Sequence, residues 1–238
     1  MEKLGILGGM GPEATASLFS RIVSFTDAAT DQEHLDITIL NDPSIPDRTA
    51  HLLKKPGSAD FTAPLQKLAA QLEASGCTVI AMPCSTAHVL IDDISAPLRR
   101  ARILNMPRLT AKAVKEAGAQ KTAILATDGT VRFGLYDQAL ADEGLASFLP
   151  SPATQADVMA VIYDHVKAGV PTPDALVSSI FSELEAEGCD AAILGCTELS
   201  VVGIPSAFGS VRVIDALDVL ARESVRACGG HVKDVAHR

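Results

Sequence analysis

Two stretches of this chain repeat each other 112 residues apart. Ala74-Ser75-Gly76-Cys77-Thr78-Val79-Ile80-Ala81-Met82-Pro83-Cys84-Ser85-Thr86 aligns without a gap on Ala186-Glu187-Gly188-Cys189-Asp190-Ala191-Ala192-Ile193-Leu194-Gly195-Cys196-Thr197-Glu198. Each copy reads as a helix end closed by glycine, then an apolar strand, then a cysteine at the strand's C-terminal tip. A second pair, Lys3-Leu4-Gly5-Ile6-Leu7-Gly8-Gly9-Met10-Gly11 and Lys121-Thr122-Ala123-Ile124-Leu125-Ala126-Thr127-Asp128-Gly129, matches at an offset of 118. The offsets differ by 6, which a loop insertion absorbs at little entropic cost. A pattern duplicated in this way restricts the chain to two similar α/β units.

Short apolar runs alternate with amphipathic, alanine-rich segments. The expected strands are 3–8, 36–40, 78–82, 102–105, 122–126, 146–149, 191–194 and 211–214. The expected helices are 13–28, 63–74, 109–117, 134–142, 155–168, 174–187 and 216–228. Alternation of this kind implies mainly parallel sheets flanked by helices, with right-handed crossovers. The first domain is expected over 1–105 plus 209–238, with the C-terminal strand and helix returning to it, and the second over 106–208. In parallel sheets ligands sit at the C-terminal strand tips. Cys84 and Cys196 therefore occupy equivalent ligand-edge positions, and two equivalent thiols facing one cleft can address opposite faces of one carbon.

Composition narrows the function. The net charge is −9 and no run of Lys or Arg occurs, which argues against nucleic acid or an anionic membrane as partner. No apolar run approaches the roughly 18–20 residues a bilayer span needs. Five cysteines without disulfide-like clustering fit a reducing, cytoplasmic setting. No CxxC is present, so no metal site is expected.

The motifs at the strand tips carry the chemistry. Gly9-Met10-Gly11-Pro12-Glu13-Ala14 formally fits a dinucleotide fingerprint. Pro12 removes a backbone donor, and no acidic residue about 20 positions on stands at the end of a second strand, Asp42 being too far along. The turn at Met10 and Gly11 reads instead as a carboxylate-facing turn or a plain structural one. The helix starts behind Cys84 and Cys196 favour thiolate over thiol. Cys77 and Cys189 begin their strands and read as core. Arg48, after the second strand, can grip a carboxylate bidentately or pair with Asp47 or Asp42. Thr127 and Thr130 can bind a carboxylate or cap the next helix. His88 and Glu198 can tune the neighbouring thiols or serve structure alone. Ser85, Thr86 and Thr197 offer backbone N–H groups beside the cysteines. Lys167 reads from sequence as a helix-end lysine.

Taken together, Gly8-Gly9-Met10-Gly11-Pro12-Glu13-Ala14-Thr15, Ile45-Pro46-Asp47-Arg48, Pro83-Cys84-Ser85-Thr86-Ala87-His88, Ala126-Thr127-Asp128-Gly129-Thr130 with Gly134-Leu135-Tyr136, and Leu194-Gly195-Cys196-Thr197-Glu198-Leu199 resemble the aspartate/glutamate racemase family, in particular its aspartate racemase branch. The resemblance spans nearly the whole chain. It implies two pseudo-symmetric domains, an active site between them, no cofactor, and commonly a homodimer. It further implies that Cys84 and Cys196 are the acid/base pair and that Arg48 and Lys167 hold the carboxylates of an acidic substrate. Two departures bear on substrate choice. Ser85 stands where the family usually has Asn, and Phe133 where relatives often carry a small hydroxyl residue. Other readings on the same scaffold are a hydantoin racemase, a maleate-type isomerase, a decarboxylase, or a non-catalytic ligand-binding or thiol-sensing protein.

Overall fold

The computed structural model describes residues 1–233, in two compact units. One comprises Met1–Met106 and the chain from Leu217 onward; the other is Pro107–Ala216. The sheet of the first unit contains β1 (Leu4–Gly8), β2 (Ile37–Asn41), β3 (Val79–Ala81) and β4 (Arg102–Ile103). All pairs are parallel, in the order β2-β1-β3-β4. Strands β1 and β3 are buried along their whole length, as expected of a parallel sheet covered on both faces.

The second unit contains β5 (Lys121–Leu125), β6 (Ala146–Phe148), β7 (Ala191–Leu194), β8 (Ala207–Phe208) and β9 (Val211–Asp215). Their order is β6-β5-β7-β9-β8, parallel except for β8. Its first four positions repeat the topology of the first sheet. The register repeats too: Leu4 lies opposite Val79, and Thr122 opposite Ala191, so the pairing preserves both sequence offsets. The helices feeding β3 and β7 end alike. Helix Thr62–Ala74 closes with Gly76 at φ 95° and a Cys77 N–H bond to Leu72 O at 3.1 Å. Helix Asp174–Ala186 closes with Gly188 at φ 71° and a Cys189 N–H bond to Leu184 O at 2.9 Å. These are left-handed glycine closures, which aim the chain back into the sheet.

One assignment of chain to domain differs from expectation. The strand expected at 211–214 does not return to the first unit; β9 pairs in parallel with β7 in the second sheet. The reason is the repeat itself. β9 occupies the place beside β7 that β4 occupies beside β3, and only the chain after Ala216 belongs with the first unit. The stretch 203–210, read as a loop, also contains β8, whose two residues are too few to show a period. Among the described residues no helix is long and apolar enough to cross a membrane.

Candidate active site

Each sheet carries one of the two cysteine tips. In the first unit the chain leaves β1 through Gly9, which has φ 105° and whose Cβ, if present, would lie 2.2 Å from Asp42 O. Only glycine fits there. Thr15 Oγ1 accepts from Gly9 N–H at 3.0 Å and donates to Gly11 O at 3.1 Å. Pro12 opens helix Pro12–Phe25. The Gly9 N–H is thus spent on the turn's own closure and Pro12 has none, which leaves a pyrophosphate fewer donors than a dinucleotide turn offers.

Arg48 begins the short helix Arg48–Leu52, whose N-cap Asp47 accepts from Ala50 N–H at 2.6 Å. Its buried guanidinium donates to Ile45 O at 3.3 Å, Pro46 O at 3.0 Å and Met10 O at 3.3 Å. The fork thereby ties the loop after β2 to the turn after β1. Cys84, Ser85 and Thr86 follow β3 and are all buried. The Cys84 N–H bonds Met82 O at 2.8 Å, a tight turn through Pro83. His88 lies one turn on, in the 3₁₀ segment Thr86–Leu90, with Nδ1 2.8 Å from Cys84 O.

In the second unit the corresponding tip carries a charged network. Cys196 is the N-cap of helix Thr197–Val201, and its Sγ donates to Glu198 Oε2 at 2.9 Å. The other oxygen of Glu198 is ion-paired with Lys167 Nζ. Lys167 also lies over the Tyr163 ring, 5.7 Å from its centroid. A π-helical turn, Val161–Val166, sets the position of Lys167, whose N–H reaches back to Ile162 O at 3.0 Å. Burial, then the Glu198 charge and the hydrogen bond to it, push the Cys196 thiol well above its ordinary pKa, and Lys167 opposes them. At Cys196 these neighbours favour the thiol, against the pull of the helix start toward thiolate. Gly195 lets the strand tip approach Tyr136, because a Cβ there would lie 2.8 Å from the Tyr136 ring.

Thr127 caps helix Asp128–Arg132, its Oγ1 accepting from Thr130 N–H at 3.3 Å and lying 3.2 Å from Thr130 Oγ1. Sequence reasoning missed Gln155, whose Nε2 donates to Ala126 O at 3.0 Å and Asp128 Oδ1 at 2.8 Å and so braces this turn. A glutamine on an amphipathic helix gives no sign of such a contact. Within the first unit, then, the fold joins Arg48 to Met10 and His88 to Cys84. Within the second it joins Cys196, Glu198 and Lys167, and separately Thr127 and Thr130.

Duplicated parallel sheets, each followed by a cysteine at a strand tip, set the frame for the comparisons with known proteins. The profile of the Asp/Glu/hydantoin racemase family matches residues 7–224, and the chain belongs to that family. It is an isomerase, an amino-acid racemase. The aspartate racemase of Picrophilus torridus is 30% identical with a TM-score of 0.84, over 98% of this chain and 96% of that one. The broad specificity amino-acid racemase RacX of Bacillus subtilis is 25% identical over 93% of this chain and 96% of its own length. Glutamate racemase from Campylobacter jejuni shares the fold, with 16% identity and a TM-score of 0.63 over 99% of this chain and 90% of that one.

Proposed function

We propose that the protein racemises an acidic amino acid, aspartate or glutamate, without a cofactor, by two-base proton transfer between Cys84 and Cys196. The single observation that carries this reading is the repeated register, which gives both sulfurs the same place beyond the third strand of like sheets. The reading requires that both sulfurs address one α-carbon. One thiolate takes the α-proton, and the other cysteine, as thiol, delivers a proton to the opposite face. Cys196 is the resting donor, since its thiol keeps its proton and donates it in a hydrogen bond to the Glu198 carboxylate. Cys84 is then the resting base.

The difficult species is the carbanion at the α-carbon, whose charge spreads into the α-carboxylate. Backbone N–H groups at Gly11, Ser85, Thr86 and Thr197, with the hydroxyls of Thr127 and Thr130, are the proposed donors to it. Arg48, beside Met10, and Lys167 are the proposed grips for the second carboxylate.

A second substrate reading has specific support. Arg48 is already bonded to three backbone carbonyls and Lys167 to Glu198, Phe133 is 47% exposed, and one relative is named as broad in specificity. A neutral amino acid fits those facts. Exchange of the α-proton in heavy water across a panel of amino acids decides between the two readings; the proposal expects aspartate or glutamate to exchange fastest. Cys84→Ser and Cys196→Ser should each abolish racemisation while leaving the protein folded. Near-wild-type turnover of D- and L-substrate by either variant ends the two-thiol scheme.

A further inference from the structure

We infer that His88 is a positioning residue for the Cys84 tip: its imidazole holds the peptide unit between Cys84 and Ser85, and so aims the Ser85 N–H. The inference rests on the racemase reading above. His88 is buried, 2% exposed. Its Nε2 accepts from Met106 N–H at 3.3 Å, and a backbone N–H can only donate. The ring proton therefore sits on Nδ1, which donates to Cys84 O at 2.8 Å. Nε2 also lies 3.2 Å from Leu104 O, so the ring is wedged between the tip and the end of β4. Burial lowers the pKa of His88, against the pull of the Cys84 and Leu104 carbonyls, and keeps the ring neutral.

The Cys84–Ser85 peptide is trans, since the cis bond of the described chain is Met10–Gly11. In a trans peptide the C=O and N–H point opposite ways. Fixing the Cys84 carbonyl toward the buried ring thus turns the Ser85 N–H away from it. Rotation of that one peptide would misaim a donor next to the reacting sulfur.

The second half offers a built-in comparison. Four residues after Cys196 stands Ser200, whose hydroxyl donates to Asp215 Oδ1 at 2.6 Å, at the end of β9. Both halves thus tie the turn behind the cysteine to the end of the neighbouring strand. The duplicated brace is structural; the grip of His88 on Cys84 O is what we assign to catalysis.

The test compares His88→Asn, His88→Gln and His88→Leu, using whichever amino acid the wild-type protein exchanges in heavy water. The Asn amide places a donor near Nδ1, whereas that of Gln lies nearer Nε2. His88→Asn should keep kcat within a few-fold. His88→Leu and His88→Gln should lower kcat about 100-fold, the scale of one lost oxyanion donor, with KM changing little. Equal kcat in His88→Leu and wild type overturns the inference. So does an equal fall in His88→Asn and His88→Leu when melting shows both folded. Should the variants not fold, ¹⁵N NMR of the wild-type ring decides: a neutral Nδ1-protonated form from about pH 6 to 9 supports the assignment, and any other form overturns it. A wild-type protein inactive on every amino acid would defeat the racemase reading, and the NMR result would still judge the ring.

Discussion

Glu198→Gln gives the sharpest test of how Cys196 is tuned. The Cys196 sulfur lies 2.9 Å from Glu198 Oε2, and Glu198 is 6% exposed. A thiolate about 4 Å from a carboxylate is disfavoured by about 4 kcal/mol at an effective dielectric of about 20. About 1.4 kcal/mol corresponds to one pKa unit. Lys167, ion-paired with the same carboxylate, returns part of this. Glutamine keeps an acceptor oxygen for the thiol but removes the charge. A fall in the Cys196 pKa is therefore expected. At neutral pH that raises the thiolate fraction in full proportion, while the weaker basicity of the thiolate cuts its nucleophilicity by only about the square root of that factor. The observable is iodoacetamide labelling of Cys196, read by peptide mass spectrometry in a Cys84→Ser background. Glu198→Gln should label several-fold faster than its parent at about pH 7. Lys167→Met should label about threefold more slowly, because it removes the positive charge that favours thiolate. Equal or slower labelling in Glu198→Gln would refute the electrostatic account of this site.

Two further substitutions probe the scaffold. Gly9→Ala forces a Cβ to within 2.2 Å of Asp42 O at a φ of 105°, so strain and clash together should cost about 3 kcal/mol or more and lower Tm by about 10 °C; a melt within about 2 °C of wild type would contradict the required turn. Burial, then the Glu2 charge, push the Cys228 thiol from 9.0 to about 11, so the folded state holds that proton more tightly than the unfolded chain and stability falls as pH climbs between those values. From about pH 8 to 11, Cys228→Ala should lose about 2 kcal/mol less stability than wild type in urea titrations, and parallel losses would show that Cys228 does not contribute.

Much of this fold was legible because its signals are short-range. The eight strands read from apolar runs all form, since Ile, Val and Leu runs bounded by glycine leave few alternatives. The repeat made the topology legible as well, though β9 was assigned to the wrong unit. That assignment followed chain order, whereas pairing followed the duplicated sheet. The site was legible as a set of strand tips, but its internal bonds were not. Nothing in the spacing of Cys196 and Glu198 shows that the thiol turns onto the carboxylate, and Lys167 is brought to Glu198 by a π-turn that one extra residue in the helix creates. Which neighbour governs the Cys196 proton was not legible, for a reason of magnitude. A five-residue helix start offers about 0.3–1 kcal/mol to a thiolate, against about 4 kcal/mol from a contacting carboxylate.

That imbalance explains why two equivalent cysteines need unequal neighbours. Two-base racemisation requires one thiol and one thiolate at the same moment, and duplication alone yields two groups with the same proton affinity. Divergence around the tips supplies the difference. Behind Cys84 stands a buried imidazole that bonds only the backbone of that residue and brings no charge to the sulfur. Beside Cys196 stands a carboxylate bonded directly to the sulfur, with a lysine holding its far oxygen. On the proposed reading, the first neighbour governs geometry and the second governs protonation. Substitutions at 88 should therefore change kcat without moving the thiol's titration, and substitutions at 198 should move the titration first. If both positions shifted both quantities alike, the division of labour between the two halves would be wrong even though the fold and its duplication stood.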